Sequence, residues 1–212
     1  MSPTKERDAV AALAPTGTAE ALALARQISD PWFRCQALAH VARYASKELV
    51  SPIAREALDT ALHQKDAYKI VAVSAWPVRA VIERDQTDPV PLWLGALVVR
   101  AQDIDHPVSK LEALFLLWQA AFPFLHSETD AVFEEFMRAC GSANSWKAGS
   151  RLEAGILILA SRDPVRAAGL VQTMRDSNYK RRASKRLSET DHMQPRPFFW
   201  TIHPQRSIVV RP

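Results

Sequence analysis

The chain has 212 residues, 48% of them hydrophobic, and a formal charge of +4. A chain of this length buries roughly 70–75% of its unfolded surface, so a full core forms without staples. Ala (33) and Leu (20) dominate while Gly (6) is scarce, which excludes a hairpin-rich β fold and predicts an all-α chain.

Cys35 and Cys140 stand far apart with no C-x-x-C, so neither a disulfide framework nor a zinc knuckle is expected. Residues 1–17 carry Lys5, Glu6, Arg7 and Asp8 and lack an apolar run, so no secretory leader is read there. The longest apolar stretch, 113–125, is broken by Gln119 and Pro123 and is too short for a bilayer. The expectation is a cytoplasmic protein without membrane contact. Residues 175–212 hold nine Lys/Arg against Asp176, Glu189 and Asp191, whereas the rest of the chain is slightly acidic. The basicity belongs to the C-terminal end.

A basic residue followed three positions later by Ala opens an apolar run five times: Arg34, Lys69, Lys110, Arg151 and Lys180, with Ala37, Ala72, Ala113, Ala154 and Ala183. Each unit reads as two helices. First helices are predicted near 19–28, 53–63, 90–101, 130–140 and 165–175; second helices near 32–46, 67–83, 108–122, 151–160 and 178–187. Ser51-Pro52, Asp88-Pro89 and Asp163-Pro164 are read as openings of first helices, Asp30-Pro31 and His106-Pro107 as openings of second ones. Pro77 falls inside a helical run, where a kink or break is expected. The stretch 141–150 is predicted as the longest connector within a unit, a surface turn carrying Trp146.

A two-helix period of 30–40 residues is the pattern of an α-solenoid. The chain resembles degenerate bacterial HEAT-like and tetratricopeptide-like helical repeats, on the stretch Asp30-Pro31-Trp32-Phe33-Arg34-Cys35-Gln36-Ala37-Leu38 and over roughly 19–187. The resemblance favours the HEAT-like class, because the unit steps do not hold to 34 residues. It implies a right-handed α-solenoid of about five helical hairpins, domain 1–187, serving as a protein-interaction or assembly scaffold. Residues 188–212, rich in Pro and aromatics, are expected to pack as an extended strap on this chain or on a second copy, which makes them a route to a homo-oligomer.

Candidate partner-binding residues are the five repeat cations, the basic cluster Arg181, Arg182, Lys185 and Arg186, and Trp146. The cations read either as a ladder for acidic peptide or phosphate, or as local partners of Asp30, Asp66, Asp105 and Asp176. The cluster reads as the polar face of a capping helix or as a nucleic-acid contact, and Arg181-Arg182-Ala183-Ser184 also fits a basophilic-kinase site. Trp76 and Trp118, alike in repeat position, are read as core. No catalytic, metal-binding or cofactor motif is found: G-x-S-x-G, H-E-x-x-H and a phosphate-cradling loop are all missing from the sequence. A protein partner is expected. The alternative is nucleic-acid binding, since small HEAT-like DNA glycosylases are similar in size, pI and Trp content.

Overall fold

The computed structural model describes residues 2–143, 145–189 and 200. Among them are eleven α-helices and no strand: α1 (Pro3–Leu13), α2 (Thr18–Gln27), α3 (Pro31–Ala42), α4 (Lys47–Leu62), α5 (Ala67–Glu83), α6 (Val90–Ala101), α7 (Pro107–Ala121), α8 (Ser127–Ser142), α9 (Trp146–Ala160), α10 (Pro164–Thr173) and α11 (Asn178–Ser188). No helix among the described residues is long and apolar enough to cross a membrane.

The odd-numbered helices pack in succession, α1 on α3, α3 on α5, α5 on α7, α7 on α9 and α9 on α11. Each even-numbered helix from α2 to α10 packs against the odd helix that follows it. Ala makes this possible. Ala37, Ala39, Ala42, Ala72, Ala75, Ala80, Ala113, Ala120 and Ala121 are all fully buried, and their single methyl groups let helix axes approach closely.

Capping follows the sequence in part. Asp30 accepts from the Trp32 and Phe33 amides, Asp66 from Tyr68 and Lys69, Asp163 from Arg166, and His106 from Ser109. Three expectations are corrected. Pro52 lies inside α4 rather than at its start, because burial of Val50 in register with Ala54, Ala57 and Ala61 draws the helix upstream to Lys47. At α6 the cap position is Pro89 itself and makes no side-chain cap bond, so Asp88 does not cap there. The predicted connector 141–150 is mostly helix: Gly141 and Ser142 end α8, and Trp146 already opens α9 behind the Ser145 cap. Helix α1 had no counterpart among the predicted elements.

Pro77 does not end α5, which runs on to Glu83. Its missing amide frees the Val73 carbonyl, and the buried Cys35 thiol of α3 donates to that oxygen at 3.6 Å. An interhelix bond thus replaces the lost intrahelix one. Beyond α5, Asp85 takes a left-handed conformation (φ 53°) while the amides of Asp85 and Gln86 bond the carbonyls of Ile82 and Val81. Such a C-terminal closure usually uses Gly, and Asp is among the few other residues that tolerate it.

Two arginines tie successive odd helices at their C-terminal ends. Arg84 Nη1, after α5, donates to the Arg43 carbonyl after α3 at 2.6 Å. Arg162 Nη1, after α9, donates to the Phe122 carbonyl after α7 at 3.1 Å. The spacing between donor and acceptor is nearly the same, 41 and 40 residues. Each bond satisfies a helix-terminal carbonyl that has no partner within its own helix.

Close approach at the far end depends on Gly149. A Cβ there falls less than 3.0 Å from the Tyr179 ring that seats α11 on α9. Gly149→Ala is expected to cost about 1–3 kcal/mol through this overlap. The signature is faster amide hydrogen exchange over residues 178–188, with α3 and α5 unchanged.

Candidate functional site

Four of the five repeat cations fall in the first turns of odd helices and Arg151 in the second turn of α9, and the structure gives them different work. Asp30 and Asp66 spend their carboxylates on helix caps, so the expected local pairing with Arg34 and Lys69 does not form. It forms only at Lys180, whose Nζ lies 3.3 Å from Asp176. The same ammonium donates to the carbonyls of Gln172 (3.2 Å) and Met174 (2.9 Å), closing the end of α10.

In the second half of the molecule the pairing crosses from one odd helix to the next. Arg151 and Lys147 of α9 each lie 3.6 Å from Glu112 of α7, and Arg151 sits 5.2 Å from the centre of the Phe115 ring. Arg182 of α11 donates to Glu153 of α9 at 3.1 Å. Glu112 and Glu153 occupy the same position in their units, two residues after Lys110 and Arg151. At that position in the first unit stands Gln36, whose Oε1 accepts from Arg7 of α1 at 2.7 Å. The result is a set of polar pairs between neighbouring helices, in which Glu112 and Glu153 offset part of the positive charge. Lys110 completes it with a bond to Gln102 at 3.0 Å.

Arg34 and Lys69 differ. Neither has an ion pair or side-chain hydrogen bond among the described residues, and Arg34 Nε is buried without a partner. Arg34 lines an open cleft of about 500 Å³ with Pro52, Arg55, Glu56, Asp59, Thr60 and His63 of α4 and its C-terminal cap. Nearby, Trp32 packs on Tyr68 and Trp76 at centroid distances of 6.4 and 6.5 Å. Burial first, and then the charges of Glu112 and Asp66, raise the Tyr68 pKa, against an opposing effect of Arg151.

The basic cluster on α11 is only partly available. Arg182 is held by Glu153, Arg181 by Asn178, and Lys185 lies 3.7 Å from Glu189. Arg186 and Ser184 are exposed, and Ala183 alone in this helix is buried. Trp146 is exposed at the first position of α9. The structure therefore does not gather Trp146, the α11 cluster and Arg34 into one site. Trp76 and Trp118 are buried, as read from the sequence.

Sequence reasoning passed over a buried polar cluster on α1, α3 and α5. Arg7 is 1% exposed and is held by Gln36 and by Asp8 at 2.9 Å. His40 is equally enclosed, and burial, Arg43 and Arg7 push its pKa down to about 3 despite a bond to the Trp200 carbonyl. Arg43 and Arg79 converge on Glu83 at 2.9 and 2.7 Å. Spacing alone carries no signal for this set, because its members come from three separated helices. Burial raises the pKa of the Cys35 thiol and pushes that of Cys140 up to about 12, which favours the protonated form of both. Among the described residues no group of three or more His, Cys, Asp or Glu side chains is placed to hold a metal. No family model, no curated protein and no solved structure matches the chain.

Proposed function

We propose that the chain is a HEAT-like, right-handed α-solenoid of five hairpins, α2/α3 to α10/α11, with α1 closing the N-terminal end. Its role is that of a protein-interaction or assembly scaffold, and the partner is an acidic segment received at Arg34 and Lys69. The observation that carries the reading is the recurrence of one interhelix device, Arg84 on the Arg43 carbonyl and Arg162 on the Phe122 carbonyl, at almost the same residue interval. Equivalent bonds at equivalent places are what stacked repeats require, since each repeat contacts only its neighbours. The outward Leu92, Gly95, Ala96 and Val99 on α6 suit assembly through the even-numbered layer.

The shape is tested by small-angle scattering. Six odd helices at 8–10 Å spacing make a particle about 50–60 Å long. The radius of gyration is then expected above the ~17 Å of a compact chain of this size. A value at or below ~17 Å removes the solenoid.

Binding is tested by fluorescence anisotropy with a labelled ten-residue Glu/Asp peptide and a labelled DNA duplex. Arg34→Gln with Lys69→Gln is expected to weaken peptide binding by about tenfold or more, whereas Arg181→Gln, Arg182→Gln, Lys185→Gln and Arg186→Gln together leave it unchanged. Salt-sensitive duplex binding that is lost only in the second variant would turn the reading to nucleic acid.

A further inference from the structure

Trp200 is the one described residue beyond Glu189, and it is half-buried against the core. Three groups read three different features of it. The Arg43 guanidinium lies over the indole at 4.0 Å from the ring centre. Glu83 Oε1 accepts the indole Nε1–H at 3.1 Å. His40 Nε2–H donates to the Trp200 carbonyl at 2.5 Å, with the two rings 5.3 Å apart.

The set is built rather than casual. Glu83 also holds Arg43, which fixes the guanidinium plane against the indole. His40 is 2% exposed, so its N–H points at the Trp200 carbonyl from within the core. A buried N–H of this kind costs about 1–3 kcal/mol when it has no acceptor. Phe and Tyr lack the N–H that Glu83 accepts, and a Trp in a helix has its carbonyl committed to the helix ladder.

We infer that His40, Arg43 and Glu83 form a binding site for the tryptophan of a peptide segment, which the isolated chain fills with its own Trp200. Glu83 stands at the edge of the bound ring and disfavours a phosphate ligand. Occupation within one chain is within reach. Eleven peptide links from Glu189 extend up to roughly 40 Å. The layers from α11 span about 24–30 Å to α5 and about 32–40 Å to α3 at 8–10 Å each. The site is thus closed at rest, and a partner segment carrying the same residue gains it only by displacing Trp200. Its side-chain contacts lie on α3 with its cap and on α5, so the proposal does not need the scaffold reading.

The test uses the full-length chain and a labelled peptide of residues 195–205, with a second peptide carrying Ala in place of the Trp. Trp200→Ala protein is expected to bind the first peptide at least about tenfold more tightly than wild type, because a tethered ligand competes at an effective concentration near millimolar. The Ala peptide is expected to show no binding, and Trp200→Phe protein, which keeps the ring but loses the N–H donor, to give an intermediate affinity. Adding Arg43→Ala to Trp200→Ala is expected to weaken the peptide at least tenfold, and Glu83→Gln serves as a second probe if Arg43→Ala fails to fold. Equal binding by wild type and Trp200→Ala overturns the site, as does no binding by Trp200→Ala. A wild-type dimer that Trp200→Ala dissolves overturns occupation within one chain.

Discussion

Trp118→Ala is expected to lower the unfolding free energy by about 3–5 kcal/mol, a large share of the roughly 5–15 kcal/mol that holds a domain of this kind together. Trp118 is fully buried on α7. Its ring meets Phe122 (5.3 Å), Phe133 (4.7 Å) and Phe136 (6.3 Å, parallel), and Gly155 of α9 leaves room for the same cluster. A Cβ added at Gly155 would come 2.8 Å from Phe136, so α9 already packs at close approach to this cluster. Urea titration checks the expectation: the midpoint falls while the slope stays constant. A loss below about 1.5 kcal/mol would show that α7, α8 and α9 close around the gap and that this cluster does not lock them.

Acidification is the second large effect, and His40 is its source. The buried imidazole is neutral down to about pH 3 in the folded chain, whereas the unfolded chain binds that proton near pH 6.5. Between these values the unfolded state carries the extra proton, so stability is complete above about pH 6.5 and falls as pH drops. The slope reaches up to about 1.4 kcal/mol per pH unit. The positive charges facing the ring are Arg43 and Arg7, and the Trp200 carbonyl gives only partial compensation. His40→Gln keeps an N–H donor for Trp200 and removes the titration. Its unfolding midpoint is expected to lie below wild type at pH 7 yet to change less between pH 6.5 and 4. Parallel curves for the two proteins would show that another group carries the acid sensitivity.

These two residues differ in how far the sequence announces them. Trp118 is legible: it sits eight positions after Lys110, as Trp76 sits seven after Lys69, and periodic apolar positions of that kind face a core. His40 is not. One imidazole on an Ala-rich helix says nothing of Arg7 twenty-nine positions before Gln36, or of Trp200 one hundred and sixty positions beyond it. The repeat cations stand between these cases. Their recurrence is visible, but their partners are not, because Asp30 and Asp66 serve as helix caps and Glu112 and Glu153 answer from the adjoining helix.

The sequence by itself determined ten of the eleven helices among the described residues, all but α1, though not every boundary. Ala and Leu content, scarce Gly, three-four spacing and Asp-Pro or His-Pro starts act within one turn, so they need no tertiary context. It also determined the burial of Trp76 and Trp118, which follows from the repeat position they share. Only the tertiary structure decided where α4 begins, why α5 survives Pro77, and which cations remain unpaired. Each of these depends on a group from another helix: the surface that buries Val50, the Cys35 thiol that bonds the Val73 carbonyl, and the Glu112 and Glu153 carboxylates that leave Arg34 and Lys69 as the unmatched pair. Interactions between residues thirty or more positions apart carry no local periodicity, and packing alone brings them together.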